Sequence, residues 1–153
     1  MPEPPRHIVE RVHKHLGFLR SCVAPKVCAA AFRTIFNGWN TEHRHQRTRT
    51  DQTNWCLLGC PRGAHDSLEH YCCCPTVHRV LNAKIRLAYP VQRGMSLWTL
   101  DHMANSDTDT LMCIALINYA TYMTTNMFRK IGRANTQDIG YHATCQHLIQ
   151  SAR

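Results

Sequence analysis

A chain of 153 residues is long enough for one ordinary domain and too short for two. Its 44% hydrophobic content excludes a disordered tail, and its best apolar run, Leu111 to Ala120, is broken by Asn118 and falls well short of the ~20 residues needed to cross a bilayer. The net charge of +8 is uneven: residues 1–50 carry nine Lys/Arg against three acids, a surplus of six, which points to an acidic partner, most commonly nucleic acid. The plainer alternative is a solvated basic surface.

The start, MPEPPRHIVERV, mixes acid and base with no apolar core of a secretory signal. The nine cysteines are therefore expected in a reducing compartment, nuclear or cytoplasmic, where clustered thiols hold metal more often than they form disulfides. Pro4-Pro5 and then Arg6 to Leu19 predict a helix with Ile8, Val9, Val12, Leu16 and Leu19 on one face. Pro25 opens a second, with Val27, Ala30, Ala31 and Ile35 inward, and Asn37-Gly38 supply its stop. The segment EHRHQRTRT, Glu42 to Thr50, is polar, basic and without periodicity, and reads as an exposed arm.

Asp66-Ser67 is an N-cap pair for a short helix, Ser67 to Cys73, which Pro75 must interrupt. Pro75 can start the next helix, through Val77, Val80, Leu81, Ile85 and Leu87. A helical turn over Ser96 to Met103 follows the break at Gly94. Ser106, with Asp107 and Asp109 in the first turn and Arg129-Lys130 in the last, bounds the longest helix, apolar on most sides and so expected at the centre of the core. A last helix is expected over about 140–151. Period-two alternation is almost absent, so the fold class is mostly α: one small helical domain over 1–153. Its parts are a helical stretch to residue 40, a basic arm 41–54, a cysteine-rich knuckle 55–78 and C-terminal helices 79–153.

The stretch CLLGCPRGAHDSLEHYCCCP, residues 56–75, holds five of the nine cysteines. Zinc takes four Cys or His ligands at tetrahedral corners. Cys56 and Cys60 flank a turn in which Gly59 can adopt the left-handed conformation that brings both sulfurs to one point. Residues at i and i+4 of a helix face the same way, and both His70/Cys74 and Cys74/His78 have that spacing. Two ligand sets follow: Cys56, Cys60, His70, Cys74 and Cys56, Cys60, Cys74, His78. Pro75 disfavours the α conformation at Cys74, which can then end the short helix one turn beyond His70, so the first set is preferred and His78 is the reserve. Cys73 is the substitute for Cys74, and Cys72 is left to pack or sit exposed. Cys22, Cys28, Cys113 and Cys145 read as buried small hydrophobes.

The sequence RTIFNGWNTEHRHQ followed by CLLGCPRGAHDSLEHYCCCPTVHRVL resembles the zinc-binding region downstream of the reverse transcriptase domain in non-LTR retrotransposon polyproteins, of the kind abundant in dinoflagellate and other algal genomes. There a helix ending in FNGW leads through an arginine-rich link to paired cysteines, an acid-hydrophobic-x-His step and Cys-Pro. The resemblance covers about residues 25–90 and implies zinc on Cys56, Cys60, His70 and Cys74, in a nucleic-acid-binding or interaction module. It implies no polymerase activity here, since no Tyr-x-Asp-Asp motif occurs.

Three function classes follow. In a nucleic-acid-binding module, Arg44, Arg47 and Arg49, aided by His43, His45 and Arg33, would touch phosphates, with Trp39 and Trp55 able to stack on unpaired bases or to act as core anchors. In a structural or protein-interaction fragment the zinc would only fix the fold. Catalysis is the weakest reading, because no His-Glu-x-x-His, deaminase or phosphate-loop motif is present and four protein ligands would close the metal to substrate.

Overall fold

A computed structural model describes residues 4–39, 41, 55–60, 64–80, 82–83, 95, 98–101 and 108–131. Among them the chain is mostly helical, as the periodicity predicts. The helices are α1 (Arg6–Cys22), α2 (Pro25–Ile35), α3 (Leu68–Cys73), α4 (Pro75–Val80) and α5 (Thr108–Ile131). The expected helix over 140–151, the extension of α4 through Leu87 and the cap at Ser106 lie outside the described residues.

Helix α2 packs on α5, and α1 packs on both. Val27, Ala30 and Ala31 are buried as expected, with small side chains that let α2 approach α5 closely. Helix α5 is the central element: Leu111, Ile114, Ala115, Ile117, Ala120 and Phe128 are buried along it, together with Asn118, Thr121, Thr124 and Thr125. On α1 the expected apolar stripe is rotated. Val9 is half exposed, while His15 is buried beside Leu19. The reason is the segment 98–101 lying on α1: the His15 ring nitrogen Nδ1 is 2.8 Å from the Leu100 carbonyl, and Arg11 donates to the Asp101 carbonyl at 2.7 Å.

The FNGW step ends α2 with a Schellman turn. Asn37, not Gly38, takes the left-handed conformation (φ 48°). The Asn37 N–H donates to the Thr34 carbonyl and the Gly38 N–H to the Arg33 carbonyl, the two bonds that define that motif. A Cβ on Gly38 would stand 3.3 Å from the Arg33 oxygen, so the close approach suits glycine. The turn delivers Trp39 into the core, fully buried, with ring centroids of Tyr122, Trp98 and Tyr71 at 5.4, 5.8 and 5.9 Å. Its indole N–H donates to the Thr34 hydroxyl at 3.0 Å, and that hydroxyl donates to the Ala30 carbonyl, so no polar atom of this pair is stranded. Trp39 is thus a core anchor and is not available to stack on a base.

Candidate metal centre

The centre begins with a loop closed at its base. Trp55 pairs with His65 in an isolated antiparallel bridge, and the Cys56 N–H donates to the Ala64 carbonyl at 2.7 Å. Within the loop Gly59 has φ +75°, the left-handed turn expected of it, and the Leu58 N–H points at the Cys56 sulfur at 3.4 Å. An N–H aimed at a sulfur favours its thiolate form, the form that binds metal. Leu57 and Leu58 are buried and fasten the loop to the core.

The other side comes from α3 and its end. Ser67 caps α3 by accepting the His70 N–H at 3.1 Å. Cys74 follows the helix as its C-cap in an extended conformation, the outcome Pro75 dictates, and Pro75 then opens α4. His70 and Cys74 therefore face the Cys56–Cys60 loop together. The donor atoms of Cys56, Cys60, His70 and Cys74 all lie within 4.8 Å of one another, and this cluster can hold a metal ion. The Cys74 sulfur is 3.3 Å from that of Cys60 and 4.0 Å from that of Cys56. These separations bracket the tetrahedron edge of about 3.8 Å set by metal–sulfur bonds of roughly 2.3 Å. They are far too long for a disulfide, and the described cysteines form none.

Two features describe the electrostatics of the four groups. The Nε2 of His70 is buried without a hydrogen-bond partner, which costs free energy unless something accepts it. The sulfurs also share charge unequally. Contact with Cys56 and Cys74 holds the Cys60 thiol well below the ordinary thiol range, whereas the same sulfur contacts and burial push Cys56 up. Burial alone would lower the His70 pKa, but the Cys60 and Cys74 sulfurs outweigh it and raise it to about 9. A dication at the centre would replace these protons.

His78 is held elsewhere, its Nε2 3.3 Å from the Cys72 carbonyl, and stands outside the cluster. Cys73 is half-buried and also outside it. Cys72 packs rather than sits exposed: it is fully buried and its thiol points at the Met95 sulfur at 3.5 Å. Cys28 and Cys113 are half-buried, but Cys22 is exposed, contrary to expectation, because it is the last residue of α1. Arg44, Arg47, Arg49, His43 and His45 lie outside the described residues, as does Cys145. Trp55 is 37% exposed with its ring stacked on His65.

Sequence reading missed two supports of the centre. Thr76, buried in the first turn of α4, donates to the Leu58 carbonyl at 3.1 Å and lies 3.8 Å from the Cys60 sulfur, joining helix to loop. Asp66, read as part of a cap, is fully buried; it accepts the Tyr71 hydroxyl at 2.6 Å and pairs with Arg129 of α5 at 2.7 Å. The Thr76–Leu58 and Asp66–Arg129 contacts have no local signal, since the partners lie 18 and 63 residues apart. Among the described residues no helix is long and apolar enough to cross a membrane. Compared with protein-family models, curated proteins and solved structures, the chain has no match.

Proposed function

We propose that the chain is a non-catalytic zinc-binding, nucleic-acid-binding module, similar to the C-terminal part of a non-LTR retrotransposon reverse transcriptase. The observation that carries the metal half is the convergence of the Cys56, Cys60 and Cys74 sulfurs and a His70 ring nitrogen within 4.8 Å of one another, with the His70 Nε2 buried and without a hydrogen-bond partner. Three thiolates and one imidazole are the donor set of closed structural zinc sites, and zinc has no geometric preference that a tetrahedron would offend. When bound, the ion would supply two positive charges and four bonds that tie the Cys56–Cys60 loop to α3. The nucleic-acid half is supported by the charge surplus in the first fifty residues and by the basic arm Arg44, Arg47 and Arg49 leading into the cluster. A nuclear or cytoplasmic location belongs to the same reading, because the thiols must stay reduced.

The second reading is a protein-interaction fragment in which zinc only stabilises the fold. It is favoured by the exposed rings of Phe32 and Phe36. Metal analysis of protein purified without added metal, followed by titration with labelled RNA and DNA across a salt series, separates the two. The expected result is one zinc per chain and an affinity that falls steeply with salt. Replacing Arg44, Arg47 and Arg49 together by Ala should weaken binding and flatten its salt dependence while helical content is kept. Zinc without any nucleic-acid affinity would select the interaction fragment, and absence of zinc would remove the metal reading.

A further inference from the structure

Phe32 and Phe36 sit one turn apart on the outer face of α2, 52% and 65% exposed, with ring centroids 4.6 Å apart and planes inclined at 40°. Beside them a cavity of about 600 Å³ opens between the end of α1 and α2, lined by Arg20, Pro25, Cys28, Ala29, Phe32 and Arg33. It is the size of a small-ligand site, and among the described residues its walls include two arginines and no acidic residue. The surrounding charge has the same sign. Residues 6–35 contain six Lys/Arg and one acid, Glu10, and that acid is paired with Arg6 at 2.9 Å. Arg33 lies over the Tyr122 ring, 5.4 Å from its centroid, a cation–π contact.

We propose that α1 and α2 carry a binding site for single-stranded nucleic acid, in which an unpaired base stacks on the Phe32–Phe36 pair while Arg20 and Arg33 hold the flanking phosphates. The inference rests on the nucleic-acid reading above but uses no metal ligand and no residue of the 42–50 arm. Exposed flat rings beside guanidinium groups that have no carboxylate partner are the parts of a stacking platform with an electrostatic groove. Trp39 is sealed in the core and Trp55 is stacked on His65, so the Phe pair is the solvent-facing aromatic cluster among the described residues. An aliphatic protein face would satisfy the rings but leave both arginines without a counter-charge, which is why a polyanion with stackable groups fits better.

The test is fluorescence anisotropy on the full metal-loaded chain, with a labelled oligo(dT), an oligo(U) and a duplex of equal length, and with polyglutamate as competitor. Phe32→Leu/Phe36→Leu keeps an apolar surface but removes the rings. It should lower single-strand affinity roughly tenfold, the effect of losing one stacked base, and leave duplex affinity within about twofold. Arg20→Gln, at an exposed position, should reduce the salt slope by about 0.7, one phosphate contact on a single strand. Circular dichroism checks that both variants keep their helices. Wild-type binding that the Phe variant does not change would overturn this site and leave the nucleic-acid reading standing; a wild type that binds no strand would overturn both. If polyglutamate competes as well as the oligonucleotides and loses affinity equally in the Phe variant, the face belongs to an acidic polypeptide and the proposal is wrong.

Discussion

Cys60 and Cys72 show how two cysteines in one short block take different work. Cys60 has its sulfur in the four-residue cluster that could hold a metal ion, whereas the Cys72 thiol points into the core at Met95. Cys60→Ser is therefore expected to abolish metal binding. Cys72→Ala should keep full stoichiometry and cost only about 1 kcal/mol, the price of a small buried void. Metal content and melting of both variants, measured side by side, check the assignment, and equal behaviour would refute it. Asp66 is the other residue with an outsized role. Its carboxylate is fully buried between Tyr71 and Arg129, whose side chain is 17% exposed. Breaking a fully buried pair by removing one partner costs about 3–5 kcal/mol; because Arg129 retains some access to water, Asp66→Asn should cost roughly 2–3 kcal/mol. Denaturant unfolding of the metal-loaded protein reads this directly, and a loss below 1 kcal/mol would mean that the pair contributes little.

At the scale of elements, α5 carries a polar stripe where its sequence looks apolar on most sides. Asn118 donates to the Trp98 carbonyl at 3.1 Å and Thr125 to the Tyr122 carbonyl at 3.0 Å. The hydroxyls of Thr121 and Thr124 are buried without a partner. An unpaired buried hydroxyl costs free energy that an isosteric methyl does not, so Thr121→Val should raise stability by about 1 kcal/mol. A destabilised Thr121→Val protein would show that the hydroxyl is in use. The helix ends were readable because their causes are local: Pro25 and Pro75 begin helices, Asn37 and Gly38 stop one, and Ser67 caps one. Which side of α1 faces inward was less readable. Val9, expected inward, is half exposed, while His15 is buried because a distant segment, 98–101, offers it a carbonyl.

For the whole molecule, α3 and α4 are two short helices, six residues each, and neither is long enough to persist alone. Structural zinc contributes on the order of 10–16 kcal/mol in small zinc modules, comparable to or larger than the net stability of a whole domain, about 5–15 kcal/mol. A strong chelator should therefore unfold residues 55–80 at least, seen as lost helical signal. The pH dependence should differ between the two forms. In the metal-free chain His70, raised from 6.5 to about 9, contributes stability that is fully present below pH 6.5 and is lost as pH rises through about 9. Cys60, held below the ordinary thiol range, contributes in the opposite sense, so little net slope is expected between pH 6.5 and about 9. In the loaded protein protons compete with the metal for all four donors, so stability is lost as pH falls. Melting curves of chelated and loaded protein across this range check both slopes, and parallel slopes would argue against metal at these residues.

The mostly helical class, the starts of α1 to α4 after a proline or a serine cap, the left-handed Gly59 and the preference for His70 over His78 were all legible in the sequence. Each depends on a steric or hydrogen-bonding rule acting over four residues or fewer. The pairing of Asp66 with Arg129, the burial of Trp39 among three aromatic rings, the lock of Thr76 on Leu58 and the exposure of Phe32 and Phe36 were decided by tertiary structure. Apolar patterning states that a side chain should leave water, but not which partner takes it. That choice depends on how α1, α2 and α5 pack and where they deliver the cysteine-rich loop.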